Sequence, residues 1–570
     1  MTGPITANRD VEALKIAARW PGADRATVVV LATTLAVAGA DADGYAYFQQ
    51  EADAHPGQAL PLALAGFFQA RLGADVDAAL AKLDKAADAD LGLPQYFRGL
   101  ALAALPPDPE RAGRAAGDLE FVLAVRDQFP ETLLRAVHRG LAAAYAVLGK
   151  DDLAAEASRR SGVGSLPADS RLLFGGYWAT AEDGFRFGSP RIWRPEPDVQ
   201  VAQGYDFGDF AFITTSDGIV AIDAGTTQSR VRAALGELDH PPGRAISHLI
   251  LTHAHFDHIG GAGALRGPGT QVIAQAAFPA ELERLRGHAL PFRYFTGDGS
   301  RDSGEIVPDR LIAEPTSLTI GDTELVLYPT PGGETSDALM IHLPASGLLF
   351  TGDVMMPYLG APFFAEGSPE GLLETLAFIR ELNPRALIQG HTPLTELFTI
   401  EALPGLEAAL GQLRGQVLDD IRQGLPLTAI LAGSQLPEVL REHPKAVIPY
   451  LVTRDNFTAR LYHQHTGYWK TDRHGLEPMT AEQRAAALGL LTGGREAAFT
   501  AAARTLIGQG DHALALEVIE PGLLCHPASA DLAGLRRTAL HRLMEETQQL
   551  DPFKFLIYAE LAGAEIGPVR

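Results

Sequence analysis

The segment Thr252-His253-Ala254-His255-Phe256-Asp257-His258-Ile259-Gly260-Gly261 constrains this chain more than any other stretch, because it sets three histidines and an aspartate within six residues. It follows an apolar run, His248 to Leu251, that reads as a buried strand, and it precedes a helix-like stretch. The polar side chains therefore sit on a strand-to-helix loop at a sheet edge. His253 and His255 alternate across one residue and reach one cation together, while the adjacent Asp257 and His258 project toward a second position. Neutral imidazoles and carboxylates suit zinc, with manganese or iron also compatible. Gly260 and Gly261 let the backbone turn tightly beneath them. Cys525 is the single cysteine, so no intrachain disulfide and no multi-cysteine zinc knuckle forms. A metal site here is built from His, Asp and Glu, and 17 histidines leave ample material.

At 570 residues the chain is long enough for three to four domains of roughly 150 residues each. Lys+Arg 47 against Asp+Glu 70 leaves a net charge of −23, a field that repels phosphate backbones and anionic lipid. Nucleic acid and membrane surfaces are thereby poor partners. The longest apolar run, Thr27 to Ala40, is shorter than the roughly 20 residues a bilayer demands. It starts late and follows Asp10, Glu12 and Asp24, so it reads as a buried helix and not as a secretory leader. The compartment stays open, with the cytoplasm favoured over the periplasm.

Three blocks follow from the texture. Residues 1–170 are rich in Ala and Leu with helical periodicity, and Gly66, Gly99 and Gly140 recur 33 and then 41 residues apart. Small residues at a fixed helix position let helices approach closely, and a period near 34 suggests a TPR-like array. Residues 171–400 open on a linker-like stretch containing Gly175, Gly176, Gly184, Gly188, Pro190, Pro195 and Pro197. Phe210–Phe212 and Ile219–Ile222 then flank a Ser216-Asp217-Gly218 hairpin turn. Further strands are expected at Gln271–Ile273, Leu325–Tyr328, Leu339–Leu343, Leu348–Phe350 and Ala386–Ile388, with helices between several of them, which makes an α/β layered domain. Residues 401–570 are helical again, with apolar residues at three- and four-residue spacing over Glu401–Gln423, Arg484–Gln509 and Ala513–Leu550.

The His-x-His-x-Asp-His-x-Gly-Gly pattern resembles that of the metallo-β-lactamase fold superfamily, which implies an αββα sandwich. Thr351-Gly352-Asp353 and Gln389-Gly390-His391 each follow an apolar strand and are similar to that superfamily's later metal-binding motifs. Asp223, in Ala221-Ile222-Asp223-Ala224-Gly225, is similar to its early strand-end aspartate, which braces the ligand loop without touching metal. Where most of the superfamily has Pro-Gly-His, this chain reads Pro331-Gly332-Gly333-Glu334, which resembles the alkyl sulfatase branch, as does Gly204-Tyr205-Asp206 before the first hairpin. The branch has a helical dimerisation domain, and Tyr462, Gly467, Tyr468 and Gly510-Asp511 resemble it. Two features depart from the branch. Asp353 stands where it has Glu, and Val354 to Gly371 holds no counterpart of its sulfate-holding segment.

What the resemblance implies is two zinc ions, or manganese or iron. His253, His255 and Glu334 would hold the first, Asp257, His258 and His391 the second, with Asp353 bridging. A metal-bound hydroxide, aimed by Asp257 as catalytic residue, would attack a sulfate ester or a related phosphate ester. His248 and His342 read as packing or supporting residues on strands beside the site, and His463 and His465 as interface or capping residues. Arg293 and Tyr294, with Met355, Tyr358 and Phe363 just after Asp353, are the expected substrate contacts: an apolar, aromatic wall with an arginine for an anionic head. That wall fits a small amphiphilic ester, and the helical C-terminal block fits a homodimer. Two other readings stay open. One is a hydrolase of another class on the same fold, such as a lactonase, thioesterase or β-lactamase-like amidase. The other is a non-enzymatic helical-repeat scaffold.

Overall fold

Alternation of apolar and polar side chains drives the central architecture, because a strand with two unlike faces must bury one of them. The computed structural model describes residues 5–19, 22–129, 131–162, 166, 177–239, 244–286, 293–295, 306–356, 367–433, 436–466 and 479–569. The chain packs as two units, Ala181–Lys470 and a second made of Met1–Thr180 with Thr471–Arg570.

The first unit is a sandwich of two sheets. A seven-stranded sheet runs in sequential order through β1 (Arg191–Glu196), β2 (Val199–Gln203), β3 (Phe210–Thr215), β4 (Gly218–Ile222), β5 (Ile246–Ile250), β6 (Gln271–Gln275) and β7 (Arg310–Ile312). A five-stranded sheet follows through β8 (Thr316–Ile320), β9 (Thr323–Pro329), β10 (Leu339–Leu343), β11 (Leu348–Gly352) and β12 (Ala386–Gln389). Short turns join most antiparallel neighbours, but loops 204–209 and 330–338 join β2/β3 and β9/β10; of the parallel pairs, β4/β5, β6/β7 and β11/β12 are bridged by the helices Gln228–Leu235, Phe278–Arg286 and Pro369–Leu382, and β5/β6 by a connection holding the short helix Phe256–Ile259. Val220, Ile222, Ile250 and Ile273 face Leu325, Leu339, Ile341 and Phe350 across the space between the sheets. The alternate residues Phe212, Ala221, Leu249 and Val272 point outward onto a second cluster with Val231, Ala234 and Phe278 of the covering helices. On the far side, Tyr328 packs edge-on against Phe378 and the hydroxyls of Thr330 and Thr375 lie 2.7 Å apart. The layers are therefore helix, sheet, sheet, helix, as the resemblance implied.

Two expectations need correction. The stretch read as linker carries a short strand at Gly184–Arg186 and the edge strand β1. Pro195 is tolerated there because β1 pairs on one side only and its register breaks between Trp193 and Glu196. Strand β2 was not legible because Gln200 and Gln203 interrupt its apolar run. Both are buried through specific bonds: Gln200 exchanges two hydrogen bonds with the backbone of Asp239 (2.8 and 2.9 Å), and Gln203 accepts from Arg191 (2.9 Å). The helical pattern over Arg484–Gln509 likewise breaks into Ala481–Thr492 and Glu496–Gln509, since Gly493 and Gly494 both adopt positive φ.

The second unit is helical. Arg25–Val37 is the helix expected from the Thr27–Ala40 run, with Val28, Leu31 and Leu35 fully buried. No helix among the described residues is long and apolar enough to cross a membrane. At Gly66, Gly99 and Gly140 a Cβ atom would come within 2.9, 2.8 and 2.6 Å of atoms on a neighbouring helix. The helix Glu131–Val147 buries His138 at 5% exposure. Burial, reinforced by Arg160 and Arg135, lowers its imidazole to about 4. Below about 6.5 the unfolded chain takes up a proton that the folded chain refuses, so the contribution is intact above that pH and lost as pH falls toward 4. This unit should lose at most about 3 kcal/mol between pH 7 and pH 4 through His138. Denaturant titrations at several pH values should show His138→Gln with a visibly flatter acid limb, and an unchanged limb would remove His138 as the cause.

Candidate metal centre

Strand ends build the site. Asp223 follows β4, His253 to His258 follow β5, Glu334 follows β9, Asp353 follows β11 and His391 follows β12. All lie at the carboxyl ends of strands, where chains leaving a sheet open a crevice. Two groups of donor atoms result, each with its atoms within 4.8 Å of one another: His253, His255 and Glu334; and Asp257, His258, Asp353 and His391. All seven residues are buried. Glu334 Oε2 stands 3.3 Å from both His253 Nε2 and His255 Nδ1. Asp353 Oδ2 lies 3.0 Å from His391 Nε2 and 3.4 Å from His258 Nε2, and Asp257 Oδ2 is 3.4 Å from each of those two nitrogens. The two groups abut, with the rings of His253 and His258 4.2 Å apart at their centroids.

One carboxylate orients two of these rings. Asp223 sits at φ 59°, a left-handed conformation that aspartate tolerates better than most residues. From there Oδ1 accepts from the Thr252 amide (2.8 Å), while Oδ2 accepts from the Thr252 hydroxyl (2.7 Å) and from His258 Nδ1 (2.8 Å). The Thr252 hydroxyl has given its proton to Asp223, so it accepts from His253 Nδ1 at 3.0 Å. Both rings are left with Nε2 facing the donor groups, the arrangement that metal-binding histidines favour. His391 is set the same way, its Nδ1 donating to the Phe207 carbonyl at 2.9 Å. Beneath the ligand loop a Cβ on Gly260 would lie 2.0 Å from the Thr226 carbonyl oxygen, and one on Gly261 2.1 Å from that of Ala224. The glycine pair is thus required by contact with the β4 loop.

Burial opposes every charge in the second group, yet the opposite charges hold one another. Asp257 would rise on burial alone, but His258 and His391 bring it down to about 2. Asp353 is held well below the usual carboxylate range against its burial, chiefly by His391 and His258. His391 is raised to about 9 by Asp353 and Asp257 despite its burial. Protons on these rings stand in for the positive charge that the carboxylates demand. Even so, His253 Nε2, His258 Nε2, Glu334 Oε2 and Asp353 Oδ1 are buried and make no hydrogen bond. Four orphaned polar atoms in one place are costly, and a divalent cation bound by imidazole and carboxylate would satisfy them.

Several supporting residues carried no legible role in the sequence, where Asp206 stood only as part of the Gly204-Tyr205-Asp206 resemblance. Asp206 accepts from the amides of Thr226 (3.0 Å) and Thr227 (2.8 Å), fixing the loop after Asp223. Asp209 accepts from the Thr392 hydroxyl (2.7 Å), and its amide donates to Gly390 O (2.7 Å), which clamps the His391 loop. Asp337, fully buried, adds negative charge beside His253 and His255. Asp209 and Asp337 are marked only as aspartates in the loops where the chain enters and leaves strands. Of the expected substrate contacts, Arg293 is exposed while Tyr294 and Met355 are buried at 5% and 1% exposure. Tyr358 and Phe363 lie outside the described residues. His248 and His342 lie half-buried on β5 and β10, and His463 and His465 are exposed on the helix Val447–Thr466.

Residues 204–391 match the sequence profile of the Metallo-beta-lactamase superfamily. The chain is 24% identical over 396 residues to the (R)-specific secondary-alkylsulfatase of a Pseudomonas species, a match that covers 62% of this chain and 59% of that protein. It is 30% identical over 147 residues to a hydroxyacylglutathione hydrolase of Cereibacter sphaeroides, covering 26% of this chain and 48% of that one. Among solved structures, the stereoselective inverting sec-alkylsulfatase Pisa1 from Pseudomonas superposes with a TM-score of 0.55 at 20% identity, over 65% of this chain and 66% of that one. The chain thus spans about three fifths of the length of the curated alkylsulfatase that it matches. With its sandwich, its strand-end donor groups and this match, the chain carries a metallo-beta-lactamase superfamily domain at residues 204–391, a fold that implies divalent-metal binding.

Proposed function

We propose that this protein is a dinuclear metal-dependent hydrolase of alkyl sulfate esters. The observation that carries this reading is the pair of abutting, buried donor groups with four unpartnered atoms between them. His253, His255 and Glu334 would hold one cation and Asp257, His258 and His391 the other, with Asp353 reaching both. Zinc, or manganese or iron, bound there would lower the pKa of a shared water and polarise the ester. Asp257, held ionised by His258 and His391, would accept a hydrogen bond from the attacking water and aim it. Asp223 and Thr252 keep the His253 and His258 rings from rotating as charge moves through the site. Glu334 in place of a neutral imidazole adds negative charge on the first group and softens its pull on electrons. Arg293 is the candidate contact for the anionic head, with Tyr294, Met355, Tyr358 and Phe363 nearby in sequence to flanking loops. Dimerisation through the C-terminal helices accompanies this reading, and Leu490 and Leu491, 85% and 83% exposed, support it.

Sulfate esters are favoured because similarity to the secondary-alkylsulfatase runs over 396 residues, well past the metal domain. The shorter likeness to hydroxyacylglutathione hydrolase supports a second reading, hydrolysis of a hydroxyacylglutathione-type substrate. Sulfate release from a long-chain alkyl sulfate by zinc-reconstituted protein tests the first. Turnover is expected, falling roughly 10³-fold in Asp353→Ala. Two bound metals per chain without sulfate release would shift the assignment to phosphate esters, lactones or the hydroxyacylglutathione class.

A further inference from the structure

The two donor groups are unequally charged. Asp257 and Asp353 bring two carboxylates to the second, enough for the two charges of one divalent cation, whereas the first has Glu334 alone. Another aspartate stands on that poorer side. Asp337 is fully buried with His253 and His255 beside it, and Glu281, a further charge nearby, is itself negative. Thr335 lies close to it, but no donor meets either carboxylate oxygen in bonding geometry. With His253 Nε2 and Glu334 Oε2, these oxygens make four buried polar atoms without a hydrogen bond on one side of the centre. The chain on either side of Asp337 is tied down. The Leu339 amide donates at 2.8 Å to the carbonyl of Thr252, the residue before His253, and the Ser336 carbonyl accepts from Gln275 Nε2 at 3.0 Å. A buried carboxylate held in place without a donor is costly unless a positive charge faces it.

We propose that Asp337 belongs electrically to the first donor group: it binds no metal, but its negative charge completes the pair that a divalent cation between His253, His255 and Glu334 calls for, and so sets how tightly that cation is held. The inference rests on the dinuclear reading above and adds a residue that tunes one of its two positions. Asp337 and Glu334 lie three residues apart in the loop 330–338, so the β9/β10 connection delivers two charges to the first cation as Asp257 and Asp353 deliver two to the second. A fixed charge in a buried site acts strongly because little water screens it.

The test is competition for zinc between the full chain and a chromophoric chelator, read as the number and affinity of bound ions. The unaltered protein should hold two. Asp337→Asn, which keeps the shape and removes the charge, should weaken one ion roughly 10- to 100-fold and leave the other within about threefold. In the Glu334→Gln background, where the second group still holds its zinc, adding Asp337→Asn should change that ion's affinity less than about threefold. Denaturant unfolding separates charge from packing. Without zinc, Asp337→Asn should be at least as stable as the unaltered protein, because a buried unpaired charge has gone, and the stabilisation gained on adding zinc should shrink. Asp337→Ala should weaken the same ion. Two ions held as tightly as before in Asp337→Asn, equal weakening of both, or a metal-free protein destabilised as much as the loaded one overturns the inference. If the unaltered protein holds a single ion, the dinuclear reading has failed; weakening of that ion by Asp337→Asn then sustains the role of Asp337, and an unchanged affinity removes it. If the unaltered protein holds no zinc, both fall.

Discussion

Gly390→Ala is expected to lower turnover at least 100-fold and to reduce bound metal, although it alters no donor atom. A Cβ at residue 390 would sit 2.2 Å from Asp353 Oδ1 and 2.5 Å from His258 Cε1. Neither neighbour has room to retreat. Asp353 is buried at the end of β11, and His258 is fixed through Nδ1 by Asp223. The methyl group must therefore push apart the two residues whose oxygen and nitrogen lie 3.4 Å apart in the second group. Displacing reacting groups by about 1 Å costs on the order of 100-fold in rate. Metal analysis and activity of Gly390→Ala check this together. Gly411→Ala is the control: it lies in the helix Leu403–Arg422 with nothing within 4 Å of a Cβ, and should be neutral or slightly stabilising. Full activity and full metal in Gly390→Ala would show that the donor groups are not the working site.

The largest stability loss is expected at Arg135. This side chain is fully buried, and its guanidinium donates to the carbonyls of Ser161 (2.7 Å), Tyr177 (3.0 Å) and Gly567 (3.0 Å). Three strands of chain from widely separated places thus share one planar fork of donors. Burial pushes the guanidinium down to about 9, with Glu131 opposing the shift. Arg135→Met keeps length and apolar volume but strands three buried carbonyls, which should cost roughly 3–5 kcal/mol. Arg135→Lys should recover only part, since an ammonium lacks the planar fork. Denaturant unfolding followed by circular dichroism measures the loss. Metal content should hold, because the donor groups belong to the other unit. A change below 1 kcal/mol in Arg135→Met would mean that water reaches those carbonyls.

The donor residues were legible because metal chemistry leaves a local signature. Four of the seven fall between His253 and His258, and Asp353 and His391 each directly follow an apolar strand. Strand periodicity was equally plain where one face meets the other sheet and one meets a helix, as in Phe210–Thr215 and Gly218–Ile222. It failed at Arg191–Glu196, where an edge strand is only half-buried on either face, and at Val199–Gln203, where the polarity of the buried glutamines is met by long-range hydrogen bonds.

By itself the sequence determined which residues a cation would find and on which loops, since ligand spacing and strand ends are properties of neighbouring residues. The tertiary structure alone decided the rest. It put Asp223 beneath both Thr252 and His258, turning one carboxylate into the brace of two rings. It set Phe187 and Phe207 against the His391 ring and packed Phe256 and Phe295 on Phe207, from four separate segments. It also packed the helices of Thr471–Arg570 into one unit with those of Met1–Thr180. Such contacts join residues tens to hundreds of positions apart. They are chosen by which buried surfaces and hydrogen-bonding groups fit once the layers close, and no local pattern encodes that choice.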